Sequence, residues 1–197
     1  TFYGKIVIDV GDDNKFELAL CGLTLTSQTD CPLQILSGDK VTISAKKSTQ
    51  NYVYDLRESV GDDDTAISSA IYATCDLDVQ GKGELYVKST ANNGIHTKDD
   101  LTIKNLTLQV SCVDNALKGN DSVTVESGNV TLIATQGDGI KTKNSDVSSK
   151  GNRRGNVTIS GGTVLIYAAC DGIDAAYNAQ VDGENDRRHA CTSPGVW

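Results

Sequence analysis

Five positions along the chain place a small oxygen-bearing side chain two residues ahead of an aliphatic one: Ser69, Asn93, Asn115, Asp138 and Asp171 precede Ile71, Ile95, Leu117, Ile140 and Ile173. Asp114 stands one position before Asn115. Carboxylates and carboxamides are hard oxygen donors, of which calcium typically takes about six to eight. If these positions stack, Asp138 and Asp171 become adjacent like charges, which repel unless a cation lies between them. Asp138, Asp171, Asn115, Asp114 and Asn93 are therefore expected to hold Ca2+. Asp99 and Asp121 carry the same 22-residue offset as Asn93 and Asn115 and form a second candidate column, with the run Asp62 to Asp64 as a third. None of these follows an EF-hand loop. The alternative for the same residues is a ladder whose side chains bond the turn backbone without metal.

Basic residues recur in the same frame. Lys98, Asn120 and Lys143 share one position, and His96, Lys118 and Lys141 share another. Stacked, Lys98, Lys118, Lys141, Lys143 and His96 would run beside a polyanionic glycan, or else balance the Asp columns as solvated charges. Thr102, Thr124 and Thr158 make a short outward ladder, too few rungs for an ice-binding face and ordinary for an exposed strand. With His96 and His189 as the only histidines and no nucleophile elbow, serine or cysteine hydrolase chemistry is a poor reading.

The elements that must position these residues come from an internal repeat. The small residue that precedes each aliphatic one advances from Ala70 to Gly94, Ala116 and Gly139 in steps of 24, 22 and 23, then by 33 to Gly172. Each unit carries pairs of aliphatic residues two apart, such as Leu77 and Val79, Leu101 and Ile103, Val123 and Val125, and Val157 and Ile159. Residues two apart face one side of a strand. Units of this length bury their apolar side chains only by stacking on one another. The expected fold is all-β: a right-handed, single-stranded parallel β-helix with coils of about 22–24 residues.

Residues 1 to 65 carry worn versions of the pattern, in Ile6 and Ile8, Leu18 and Leu20, Leu33 and Ile35, and Val41 and Ile43. The expected organisation is one β-helix over residues 1–180, with loop insertions near 46–65 and 144–154, and a polar tail or cap over 181–197. The net charge of −8 and pI near 4.7 argue against nucleic acid, and no apolar run is long enough for membrane insertion. Thr1 and the absence of Met suggest a mature or trimmed chain. Cys21, Cys31, Cys75, Cys112, Cys170 and Cys191 show no CxxC spacing. Their even number favours disulfides and an oxidising compartment, with Cys21–Cys31 and Cys170–Cys191 the nearest pairs. Buried free thiols are the alternative. Asn105, Asn120, Asn129 and Asn156 head N-glycosylation sequons.

The runs Ala70-Ile71-Tyr72, Gly94-Ile95-His96-Thr97-Lys98-Asp99-Asp100-Leu101-Thr102-Ile103, Lys118-Gly119-Asn120-Asp121-Ser122-Val123-Thr124-Val125 and Asp138-Gly139-Ile140-Lys141 closely resemble the clostridial carbohydrate-binding domain-containing β-helix family. The likeness extends from Val41-Thr42-Ile43 to about Asn178; the cysteines and the tail depart from it. The resemblance implies a pectate-lyase-like fold without catalysis, secretion, Ca2+ binding, and affinity for acidic polysaccharide or cellulose. The function expected is therefore a secreted, calcium-binding, non-catalytic protein that binds a polygalacturonate-like or other cell-wall glycan at the cell surface or in the extracellular matrix. One alternative is a subunit of an extracellular fibril, glycosylated or not, built by head-to-tail association through unpaired strand edges. A third is a polysaccharide lyase, with Arg153, Arg154 or Lys150 as base.

Overall fold

The computed structural model describes residues 1–60 and 67–182. Its strands fall into seven coils of three. The first coil is β1 (Phe2–Tyr3), β2 (Ile6–Asp9) and β3 (Lys15–Leu20); the second is β4 (Thr24–Ser27), β5 (Leu33–Ser37) and β6 (Lys40–Ala45). The third is β7 (Gln50–Asp55), β8 (Ser69–Ala73) and β9 (Asp76–Gly81); the fourth is β10 (Glu84–Ser89), β11 (Asn93–Thr97) and β12 (Asp100–Lys104). Next come β13 (Leu106–Cys112), β14 (Leu117–Gly119) and β15 (Ser122–Val125), then β16 (Gly128–Ala134), β17 (Ile140–Thr142) and β18 (Asn156–Ile159). The last is β19 (Thr163–Ala168), β20 (Ile173–Asp174) and β21 (Asn178–Val181). Each strand pairs, in parallel, with the strand three along the chain, which produces three seven-stranded sheets: A from β1, B from β2 and C from β3. This is the expected right-handed parallel β-helix.

The alternation read from the sequence decides which side chains fill the coil. In sheet C, Leu77, Leu101, Val123 and Val157 lie in register and are fully buried, whereas Thr102 and Thr124, one residue on, face outward. Each such aliphatic side chain gains about 1.5–3 kcal/mol by burial, and it gains it only because the next coil covers it. The repeating small residue has a packing reason. A Cβ on Gly94 would come within 2.2 Å of Val110 Cγ1 and 2.7 Å of the Ala116 carbonyl, and one on Gly139 within 2.3 Å of Ile166. At this corner between sheets A and B, successive coils approach so closely that even an alanine methyl would clash at Gly94 and Gly139.

Three expectations are corrected. Residues 46–65 are not a single loop: β7 occupies Gln50–Asp55 and pairs with β4 and β10. Its inward residues include Asn51 and Asp55, both fully buried, and these polar positions hide the alternation. Asn51 Oδ1 accepts from the N–H groups of Gly22 and Leu23 at 2.9 Å each, and Asn51 Nδ2 donates to the Glu84 carbonyl. Asp55 is matched by a buried, two-pronged bond from Arg57, at 2.8 Å and 2.6 Å. The strand pattern also reaches into the expected tail at Val181, because β21 places Ala179 and Val181 beside Val157 and Ile159. Finally, Cys21 and Cys31 are unpaired: Cys21 is exposed, while Cys31 is buried with its thiol donating to the Leu33 carbonyl at 3.3 Å. Cys75, Cys112 and Cys170 form no disulfide among the described residues, and burial pushes the Cys31 and Cys112 thiols up to about 12. Asp62 to Asp64, His189 and Cys191 lie outside the described residues.

Candidate metal and glycan-binding sites

The turn joining sheet A to sheet B brings together Asn93, Asn115, Asp138 and Asp171 as one column, as the repeat requires. The side-chain oxygens of Asn93, Asn115 and Asp138 are already engaged. Asn93 Oδ1 accepts from the backbone and side-chain nitrogens of Asn115, at 3.2 Å and 2.8 Å. Asn115 Oδ1 accepts from the Asp138 N–H at 3.3 Å, and Asp138 Oδ1 from the Asp171 N–H at 2.9 Å. Each side chain thus satisfies the turn of the following coil, which is the metal-free ladder. The Asp138 charge is met by a lysine. Lys141 Nζ donates to Asp138 Oδ2 at 2.8 Å and to Asp174 Oδ2 at 2.6 Å, and these bonds hold its ammonium above the usual lysine range. Asp171 is exposed and Asp114 half-buried, and neither carboxylate joins this bonding. These residues do not fit a calcium cage.

The turn joining sheets B and C is different. Asp76 opens β9 and Asp100 opens β12 in adjacent coils, with Asp99 beside them, and one carboxylate oxygen from each lies within 4.8 Å of the others. Burial, followed by the charges of Asp76 and Asp121, pushes Asp99 up to about 6; burial, followed by the charge of Asp100, raises Asp76. Three hard oxygens under mutual repulsion are the donor set that a hard dication fits. Asp121 does not join them: it is buried and takes bonds from Arg154 Nε at 2.7 Å and Asn144 Nδ2 at 2.8 Å, both from the excursion between β17 and β18. Sequence reasoning found Asp99 and missed Asp76 and Asp100. The signal was present, since both immediately precede the paired leucines Leu77 and Leu101, but the cluster spans two neighbouring columns where only single columns were compared.

On the outside of sheet B, Tyr72, His96, Lys118 and Lys141 follow one another in register. His96 lies edge-on to Tyr72 at 5.6 Å, and its Nε2 donates to Asn120 Oδ1 at 3.2 Å. Burial and the charges of Lys118, Lys98 and Lys143 push His96 down to about 4, so it is neutral at physiological pH and offers no charge to an anion. Lys141 is likewise committed to its two aspartates. Lys98, Lys118 and Lys143 make no ion pair among the described residues; Lys98 and Lys143 are exposed, and burial lowers Lys118. Three uncompensated cations therefore gather around a neutral histidine in a chain of net charge −8.

The bases weighed for a lyase are held elsewhere: Arg154 is paired to Asp121, and the Arg153 guanidinium sits 4.9 Å over the Tyr177 ring. Lys150 is exposed on the same excursion. Of the sequon asparagines, Asn105 and Asn129 are exposed, Asn120 accepts from His96, and Asn156 donates to the Arg153 carbonyl at 2.6 Å.

The family described as "Carbohydrate-binding domain-containing protein" matches residues 1–191. A protein of that description from Acetivibrio thermocellus is 35% identical over 102 residues, covering 51% of this chain and 36% of the relative. The match thus spans little more than a third of that relative's length. No solved structure matches the chain. With the family matched over nearly the whole chain, this protein belongs to the carbohydrate-binding domain-containing family.

Proposed function

We propose that this protein is a non-catalytic, extracellular β-helix that binds a carboxylate-bearing polysaccharide of the polygalacturonate type, with calcium held at Asp76, Asp99 and Asp100. The observation that carries the reading is the cluster of Lys98, Lys118 and Lys143, cations without partners among the described residues of an acidic protein. Lys98, Lys118 and Lys143 come from three successive coils about 4.8 Å apart, a rise comparable to the length of one pyranose ring. A uronate chain laid along the coil axis meets an ammonium group at each step. Lys118, partly desolvated, gains most from an arriving carboxylate. Calcium supplies charge neutralisation: three protein carboxylates fill fewer than its usual six to eight or so positions, leaving room for water or a sugar carboxylate.

Affinity electrophoresis through polygalacturonate gels tests this. Wild type is retarded, more so with calcium than with chelator, and Lys118→Ala combined with Lys143→Ala restores free migration. Equal migration of wild type and the double variant overturns the lysine assignment. Unsaturated product released from the same polymer overturns the non-catalytic one.

A second reading, end-to-end association into a fibril, is favoured by one observation. The described coils end in unpaired strands on both sides, and Phe16 and Val181, inward by register, are 38% and 54% exposed there. Electron microscopy with calcium and with chelator distinguishes filaments from dispersed short rods.

A further inference from the structure

The outer face of sheet A is nearly free of charge. Among the outward residues of β7, β10, β13, β16 and β19 only Glu84 and Lys88 carry charge, and the two cancel. A chain of net charge −8 repels its own copies over most approaches, but not across a neutral face. The apolar side chains of this face fall in two groups: Tyr52, Tyr54 and Tyr86 on β7 and β10, and Ile133, Leu165 and Tyr167 on β16 and β19. Tyr52 and Tyr86 are register partners, their rings parallel within 14° at 5.0 Å between centroids, and Tyr54 leans on Tyr52 at 5.8 Å. Their hydroxyl ends are fixed as well, since Tyr52 Oη donates to Gln50 Oε1 at 3.2 Å and both Gln50 Nε2 and Tyr86 Oη donate to Glu84 Oε2. Side chains already ordered lose little entropy when another surface covers them.

The two groups are placed symmetrically. Between them runs β13, flanked by β10 and β16, with β7 and β19 one strand further out. A twofold axis laid along β13 puts β10 of one copy over β16 of the other, and β7 over β19. By register Tyr52 then meets Leu165, Tyr54 meets Tyr167 and Tyr86 meets the smaller Thr131, and each contact is made twice. Side chains on the axis meet their own copies, which a charged residue could not do without repulsion. β13 presents Thr107, Gln109 and Ser111 there, hydroxyls and a carboxamide that each donate and accept and so can bond themselves across a twofold axis. Thr107 and Gln109 are exposed in the single chain.

We propose that the outer face of sheet A is the contact of a homodimer, in which two copies pack face to face, their coils running in opposite directions, about a twofold axis along β13. Five strands span about 20 Å and three outward residues about 14 Å along each strand. With side-chain margins the contact covers roughly 500 Å² per copy, close to the lower limit for a specific one, so a dissociation constant of about 10–100 µM is expected. The lysine column on sheet B stays uncovered, and the dimer does not rest on the glycan reading.

The test is sedimentation velocity of the full chain, without glycan, from about 1 µM to about 300 µM. Wild type passes from monomer to dimer and goes no further. Leu165→Glu and Tyr52→Lys, both at outward positions, each weaken the dimer at least about tenfold, because each substitution enters the contact twice. Mixed, they restore it, since the mixed dimer has one native contact and one carboxylate–ammonium pair. Gln109→Cys, on the axis, gives an intermolecular disulfide under mild oxidation well above the wild-type background from the exposed Cys21 and Cys170, and this readout decides if either charged variant fails to fold. The proposal is overturned if wild type stays monomeric over the whole range, if Leu165→Glu dimerises as wild type does, or if the mixture associates no better than its components. It is also overturned if Gln109→Cys cross-links no more than wild type, or if molar mass keeps rising past the dimer, the mark of end-to-end stacking.

Discussion

Removing the charge of Asp99 should stabilise the calcium-free protein, and the effect should vanish in acid. The Asp99 carboxyl titrates near 6 in the folded chain against 3.8 unperturbed, because it is partly buried among Asp76, Asp121 and Asp100. Between those values the folded chain holds a proton that the unfolded chain has released. This group therefore contributes a loss of stability that grows as pH rises from about 4 to about 6 and is complete above that. Fully expressed, a displacement of that size is worth about 3 kcal/mol. Asp99 is partly open to water, so screening reduces this to about 1 kcal/mol. For a chain of this length, that is about 2–4 °C in Tm. Thermal unfolding followed by circular dichroism near pH 7.5 with chelator should place Asp99→Asn higher than wild type by that margin, and level with it near pH 4. Millimolar calcium should raise wild type by at least as much near pH 7.5 and Asp99→Asn by less. The reasoning is refuted if Asp99→Asn is destabilised near pH 7.5 with chelator, or if calcium shifts both proteins equally.

His96 gives the opposite slope. Its folded value near 4 lies below the ordinary 6.5, so stability present above 6.5 is lost as pH falls toward 4, and His96→Gln should flatten the acid limb of the Tm profile. Asp55→Ala leaves the buried Arg57 guanidinium without its carboxylate and should cost about 3–5 kcal/mol, a fall of roughly 6–20 °C in Tm; a fall of under 2 °C or so would show that water replaces the pair. Lys141→Met removes the cation shared by Asp138 and Asp174, so Tm should fall more near pH 7.5 than near pH 3, where protonated carboxyls no longer repel. Gly94→Val should fail to give soluble protein, or should unfold far below wild type, because its Cβ would overlap Val110 and the Ala116 carbonyl.

Sequence alone determined the coil and its register. Leu77, Leu101, Val123 and Val157 recur at one place in each turn because a strand has period two and each coil must cover the last; nothing distant is needed to read that. The small residues at Gly94, Ala116 and Gly139 were legible for the same local reason. Only the tertiary structure decided where charge is satisfied and where it is left over. The Asx column reads as a cation site in the sequence, but backbone N–H groups and Lys141 occupy the oxygens of Asn93, Asn115 and Asp138, and Asp121, close to Asp99, is neutralised by Arg154, 33 residues away in sequence. Asp76 and Asp100 joined Asp99 because two columns meet at one turn. β7 escaped notice because Asn51 and Asp55 face inward with partners supplied by Gly22, Leu23 and Arg57. Alternation of apolar residues is a property of neighbours along the chain. Neutralisation and hydrogen bonding depend on which groups the folded coils bring within about 3 Å of one another.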